Sequence, residues 1–378
     1  MLDPIPAYLI ALQPFLRCPL THSGLHHIFG QDLVDFHRAV KAGEITHLDG
    51  SPVKTDFQWG LINEDGSFAY LVSDDIIAML PDLAVALKPE AVKPEMLEMA
   101  AEKQNLRSFY DEIGWTADER GDFVDATRFE DLRPVSAEYI ERCHARFGKH
   151  LTYSGQFFLD IASGPVQYDA YARYSLAYNY HICGDLSVRA LRAAKERLGP
   201  RGIYMLCDIT NIPLKDDGMD GFMSLHTIYH VPQAQQKQAF AELARVLKPG
   251  QQGAVVYSWG PHSPLMRWGM VPWNIWQGLK GWIKRLLGRA PATGAEAAPP
   301  PAKPYRHQHD YDWYRQEVRP LGFGECRVWR SVNVTFMRRY IRPGWLGRTL
   351  LRILYAKEEV FPHILGRYGQ YPILICKK

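Results

Sequence analysis

Four apolar runs in this chain each end in residues able to do chemistry. FFLDIASGPVQYD carries Asp160, Ala162, Ser163 and Gly164; YHICGDLS carries Asp185 and Leu186; IYMLCDIT carries Asp208 and Ile209; GFMSLHTIYHV carries Ser224, His226 and His230. A carboxylate presents two oxygens with several lone pairs, so Asp185 could accept both hydroxyls of a ribose. Asp208 could accept from an exocyclic adenine amine, and a histidine after the fourth run is placed to take a proton from a bound hydroxyl. Together they describe an adenosine site. It has no phosphate cradle: G-x-x-x-x-G-K-[ST] is absent, and D-x-A-x-G-P is a poor version of the dinucleotide fingerprint. Plainer roles stand beside these. Asp185 could only complement a helix N-terminus, Asp208 could only open a turn, the histidines could only belong to a strand-to-helix turn, and Cys183 and Cys207 read as packed thiols.

The elements that must position these residues follow from the pattern between about 137 and 260. Short apolar runs alternate with helical segments such as SVRALRAAKERLG and QAQQKQAFAELARVLKPG. That alternation implies parallel strands joined by crossover helices, an α/β doubly wound sheet. In such a sheet ligands sit beyond the carboxyl ends of the strands, where the strand order reverses. All four polar clusters fall at those ends.

The rest of the chain sets the context. Its 378 residues fit two domains, and a hydrophobic content of 47% excludes a disordered protein. With 44 basic and 41 acidic residues the net charge is +3, too balanced to announce nucleic acid. Six scattered cysteines (Cys18, Cys143, Cys183, Cys207, Cys326, Cys376) suit buried thiols in a reducing compartment. The N-terminus carries Asp3 where a signal peptide would be basic, and no uncharged apolar stretch is long enough to span a bilayer, so a cytoplasmic protein is expected. Residues 1–87 read as a small β-containing unit, 88–136 as a helical connector, and 290–304 as an Ala/Pro-rich flexible linker.

LDIASG, then GDLS, then CDITNIPLKDDGMDGFMSLHTIYHVP, then ELARVLKPGQQGAVVYSW resembles the class I S-adenosylmethionine-dependent methyltransferases, of the methyltransferase type 11 kind. The resemblance implies a Rossmann-like, mostly parallel seven-stranded sheet over 137–260 and 305–378, with S-adenosylmethionine as cofactor. It implies that Asp160, Ala162, Ser163 and Gly164 form the loop under the methionine part. Asp185 would bind the ribose, Leu186 would pack on adenine, Asp208 and Ile209 would meet the adenine edge, and Tyr110 and His226 would cover the cofactor. LRCPLTHSGL with AYLVSDDIIAMLP is similar to the Trm112 zinc-ribbon family. The second cysteine pair is gone, which implies a domain whose metal is lost, although Cys18, His22, His26 and His27 could supply some ligands.

Two departures carry expectations. The glycine positions of the cofactor loop hold Ala162, Gly164 and Val166, with Pro165 inserted; one added methyl at 162 should cost little, and Pro165 is expected in the first turn of the following helix. Residues 265–289 have Ile275, Trp276, Leu279, Trp282, Ile283 and Leu286 at helical spacing, and 261–295 hold five basic residues and no acid. This segment is expected to be a lid over the substrate, or a peripheral contact with the inner face of a membrane. The expected reaction is methyl transfer to a hydroxyl of a small molecule, sugar or lipid-linked glycan, with His226 or His230 as base. An RNA methyltransferase and a non-catalytic cofactor-binding scaffold are the alternatives.

Overall fold

The computed structural model describes residues 4–109, 130–286 and 305–378. Tyr110 lies outside the described residues. All seven strands expected from the apolar runs are present: β6 (Gly155–Ile161), β7 (Tyr178–Asp185), β8 (Gly202–Leu206), β9 (Gly221–Leu225), β10 (Gln252–Val256), β11 (Glu325–Arg330) and β12 (Tyr371–Lys377). They run in the order β8-β7-β6-β9-β10-β12-β11, parallel from β8 to β10. The order reverses between β6 and β9. The last strand, expected to close the sheet, inserts antiparallel between β10 and β11 and leaves β11 at the edge. Burial explains the choice: six of the seven residues of β12 are buried, whereas β11 alternates at its start.

Successive side chains of a strand point to opposite faces, and both faces here are covered. Leu159, Met205 and Val255 join Ala239, Phe240 and Leu243 of α7 (Gln236–Val246) on one side. Phe158, Tyr204 and Val256 join Leu191 and Ala194 of α6 (Val188–Leu198) on the other. The buried positions of α7, spaced one, three and four residues apart, make a single apolar stripe. Each Leu or Phe so buried contributes about 1.5–3 kcal/mol.

The N-terminal strands do not form a separate sheet. β1 (Leu25–Ile28), β2 (Trp59–Asn63), β3 (Phe68–Ser73) and β4 (Ile76–Ala78) pair antiparallel, with β5 (Val85–Ala86) beside β3. β4 then pairs parallel with β8, Ile77 opposite Met205, and covers what would be an open edge of the parallel sheet. Lys195 of α6 bonds both Asp74 and Asp75 in the turn before β4 at 2.8 Å. Two N-terminal helices, α1 (Ala7–Leu12) and α2 (Gly30–Ala42), pack on these strands; α3 (Pro94–Phe109) opens the connector. The residues that could supply zinc ligands are otherwise engaged or diverge. Cys18 is buried with its Sγ 3.2 Å from the Tyr70 hydroxyl, and His26 and His27, adjacent on β1, face opposite ways. Among the described residues no three His, Cys, Asp or Glu gather around a metal-sized site.

Three further helices cluster at the far edge: α4 (Ala137–Gly148), α11 (Trp345–Val360) and α12 (Pro362–Tyr368). Glu358 of α11 is fully buried and accepts from Tyr139 (2.8 Å), Arg146 (3.0 Å) and the Ser331 hydroxyl (2.6 Å), tying α4, α11 and β11 together. The segment expected to be a lid is helical as α8 (Pro264–Gly269) and α9 (Val271–Leu286). It departs from a lid in its packing. The Trp273 amide of α9 donates to the Tyr340 hydroxyl of α10 (Val334–Tyr340) at 3.1 Å, while Ile275, Trp282 and Leu286 are 66%, 60% and 65% exposed.

Candidate active site

The carboxyl ends of the parallel strands arrive level. Ile161 lies opposite Gly184, Gly184 opposite Met205, and Val256 opposite Leu225, so the loops carrying the candidate residues share one edge. The loop after β6 turns sharply: Ala162, Gly164 and Val166 have φ of +54°, +58° and +50°. Gly164 adopts this left-handed conformation without strain; Ala162 and Val166 do not. The methyl at 162 is therefore not a trivial change, contrary to the sequence reading. Pro165 is also displaced from its expected position. It lies in a turn between two residues of positive φ, and the next helix, α5 (Asp169–Arg173), begins only at Asp169. Because proline fixes its own φ near −65°, it stiffens the loop and does not start the helix.

Asp185 clamps this loop. Buried at the end of β7, its Oδ2 accepts from the Gly164 amide and its Oδ1 from the Ser187 amide, both at 2.9 Å. Burial pushes its pKa up to about 6, against the pull of those two amides. The Leu186 amide also bonds the carboxylate, which leaves one lone-pair direction for a ribose hydroxyl. The α6 N-terminus is capped instead by Ser187, whose Oγ accepts from the Ala190 amide at 3.3 Å. Asp160 is buried at the end of β6, its Oδ2 3.4 Å from His181 Nε2, and burial raises its pKa. Ser163 sends its amide to the Gly184 carbonyl at 3.2 Å. Leu186 is partly buried against the α6-side core, and Ile209 is buried in the opposite one. Asp208 is buried and holds a tight turn, Oδ1 accepting from the Thr210 amide at 2.8 Å.

The β9 loop meets the β6 loop where the Thr227 hydroxyl donates to the Ala162 carbonyl at 3.4 Å. His226, one residue earlier, has φ +61° and lies with its ring centre 4.7 Å from Trp329 and 5.0 Å from Tyr371. Its Nε2 is shielded and has no partner; the buried Ser224 Oγ on β9 is likewise unpartnered. Burial, reinforced by Arg330, drives the His226 pKa far below its ordinary value, so the ring is neutral at pH 7. His230 is differently placed. Its Nδ1 lies 2.9 Å from the Tyr305 carbonyl, and burial lowers its pKa to about 4.

Sequence reasoning missed the wall behind His226. Trp329 of β11 and Tyr371 of β12 flank it, and the Arg330 guanidinium sits 3.8 Å over the Trp329 ring while forking to Glu130 at 2.7 and 3.0 Å. Arg306 lies 5.1 Å over the Tyr229 ring nearby. Trp329 and Tyr371 lie more than 100 residues beyond His226 in sequence, and only the insertion of β12 beside β10 brings them to it. Unpartnered buried polar atoms at a strand-end cleft are what a ligand would satisfy. Asp185, Ser224 and the left-handed Gly164 loop fit an adenosine-bearing cofactor at the point where the sheet order reverses.

Residues 159–255 match the family described as a methyltransferase domain. The chain is 36% identical over 75 residues to the mouse protein named "Probable tRNA methyltransferase 9B", covering 18% of this chain and 17% of that protein. The chain thus spans about a sixth of the curated relatives it matches. Among solved structures, phosphoethanolamine N-methyltransferase 2 of Haemonchus contortus, in complex with S-adenosyl-L-methionine, is similar at 16% identity and TM-score 0.42, covering 78% of this chain and 63% of that one. A chain of the complex between the Haloferax volcanii Trm112 methyltransferase activator and a methyltransferase is similar at 14% identity and TM-score 0.38, covering 66% of this chain and 100% of that one. The stretch from β6 to β10, which holds the candidate loops, is thus the part of the chain that matches a methyltransferase domain.

Proposed function

We propose that the protein transfers a methyl group to a hydroxyl of a small molecule, sugar or lipid-linked glycan, with His226 as the base. The observation that carries this is the unpartnered, shielded Nε2 of a neutral histidine at the strand-order reversal. Bound S-adenosylmethionine supplies an electrophilic methyl on its sulfonium sulfur. In this reading Gly164 and Asp185 hold the ribose and methionine side, and Leu186, Asp208 and Ile209 hold the adenine. His226 Nε2 accepts the proton of the acceptor hydroxyl, so the oxygen reacts with its lone pair free. Trp329 and Tyr371 keep water from the ring, and alignment supplies much of the rate. His230 is the weaker candidate, because its Nδ1 is engaged by Tyr305.

His226→Asn tests the reading, since asparagine tolerates the positive φ. Methyl transfer should fall about 10²–10⁴-fold while S-adenosylhomocysteine affinity by calorimetry stays within about threefold. Unchanged turnover would remove His226 from the mechanism. A second reading, an RNA acceptor, is favoured by the 36% identity to a protein named as a tRNA methyltransferase. Methylation of transfer RNA with binding that weakens steeply in salt would support it. The division into a 1–87 unit, an 88–136 connector and a catalytic domain of 137–260 with 305–378 belongs to the same proposal, as does a cytoplasmic location, for which the six buried free thiols speak.

A further inference from the structure

α9 carries an exposed apolar stripe that none of the described residues covers. At about 100° per residue, Ile275, Leu279, Trp282 and Leu286 fall in one arc, flanked by Trp276 and Ile283. All six are exposed. Trp273 falls on the opposite side, and it is Trp273 that meets the body, its ring 6.2 Å from Tyr340 and 5.4 Å from the Arg339 guanidinium. Trp273 anchors the first turn, and the described helix beyond it is exposed on both sides, Gln277 and Lys280 included, with the apolar arc uncovered. α11, which follows α10 in the chain, repeats the arrangement. Leu351 and Glu358 point inward and are buried, while Trp345, Leu346, Leu350 and Ile353 point away and are exposed.

Charge decides what covers these stripes. Residues 261–295 hold five basic residues and no acid, and residues 334–357 hold five arginines, one lysine and no acid, in a chain whose net charge is only +3. A second copy of the chain would bring like charges together across the contact. RNA phosphates would satisfy the arginines but leave the aliphatic side chains of Ile275, Leu279 and Ile353 in water. An anionic bilayer meets both demands: the acyl boundary takes the Leu, Ile and Trp side chains, and the headgroup phosphates take Lys280 and its neighbours in sequence. No helix among the described residues is long and apolar enough to cross a membrane, so the contact is with the surface.

We propose that α9 and α11 dock the protein on a bilayer containing anionic phospholipids. The whole chain is sedimented with phosphatidylcholine vesicles, with and without phosphatidylglycerol. It should pellet with the anionic vesicles, less so as salt rises, and far less with phosphatidylcholine alone. The double variant Ile275→Asp/Trp282→Asp, which alters only exposed side chains, should lower the partition coefficient about a hundredfold with S-adenosylhomocysteine affinity unchanged. Ile353→Asp on α11 should weaken it about tenfold independently. Failure of the chain to bind anionic vesicles, or equal binding by the variants, would overturn the proposal. So would transfer RNA binding lost in the same variants without vesicle binding, which would make the surface an RNA site. The measurement reads lipid binding alone, so its failure leaves the methyl-transfer reading intact.

Discussion

At the residue scale, Asp185 couples the cofactor loop to pH. Its folded-state pKa of about 6 lies above the ordinary carboxylate value, so the folded protein holds this proton at pH values where the unfolded chain has lost it. From this group, ligand-free stability is greatest at low pH and is lost as pH rises from about 4 through 6. Under the proposed ribose role, cofactor affinity is expected to move the other way, because the ionised carboxylate is the better acceptor for hydroxyls. Calorimetric titration with S-adenosylhomocysteine should show affinity about tenfold weaker at pH 5 than at pH 7.5, and Asp185→Asn should flatten that dependence. Ala162 supplies a second test. Its φ of +54° disfavours any side chain, so Ala162→Gly should raise stability by about 1 kcal/mol in urea unfolding. A lower midpoint would show that the methyl makes a contact worth more than the strain.

At the element scale, buried charge fastens helices to the far edge of the sheet. Glu358 accepts from two residues of α4 and from Ser331 just after β11, and its removal would leave Arg146 buried with one partner fewer. Glu358→Ala is expected to cost about 3–5 kcal/mol, read as a fall in the urea midpoint. The loss should also loosen β11, and with it the Trp329 wall beside His226. Altered near-ultraviolet circular dichroism before global unfolding would report that. These partners were not legible in the sequence. Arg146, Glu358 and Ser331 lie up to 212 residues apart, and no spacing rule joins them.

At the scale of the whole molecule, one sheet runs from β1 to β11 across what reads in sequence as a domain boundary. β4 covers the β8 edge, and the Met79 amide donates a hydrogen bond to the Leu206 carbonyl at 2.9 Å. Deleting residues 1–87 should therefore expose a parallel edge strand and the apolar surface around Met205. Light scattering of the truncated protein is expected to show association at concentrations where the full chain is dispersed. A dispersed, folded truncation would mean that β4 is an accessory to a self-sufficient domain.

Periodicity and strand-end chemistry were determined by the sequence itself. Apolar runs buried on both faces read as strands wherever they sit, and an acid or glycine after each run marks the cofactor edge without any knowledge of neighbours. Asp160, Gly164, Asp185, Asp208 and His226 were picked out this way as candidates, and the level strand ends put the loops that carry them at one edge of the sheet. The tertiary structure decided what depends on which strand lies beside which. It put β12 between β10 and β11 and so carried Trp329 and Tyr371 to His226, it tied His230 to Tyr305, it moved the helix start past Pro165, and it left the stripe of α9 exposed. A period of two or 3.6 residues tells that one face is apolar; only long-range packing tells what that face meets.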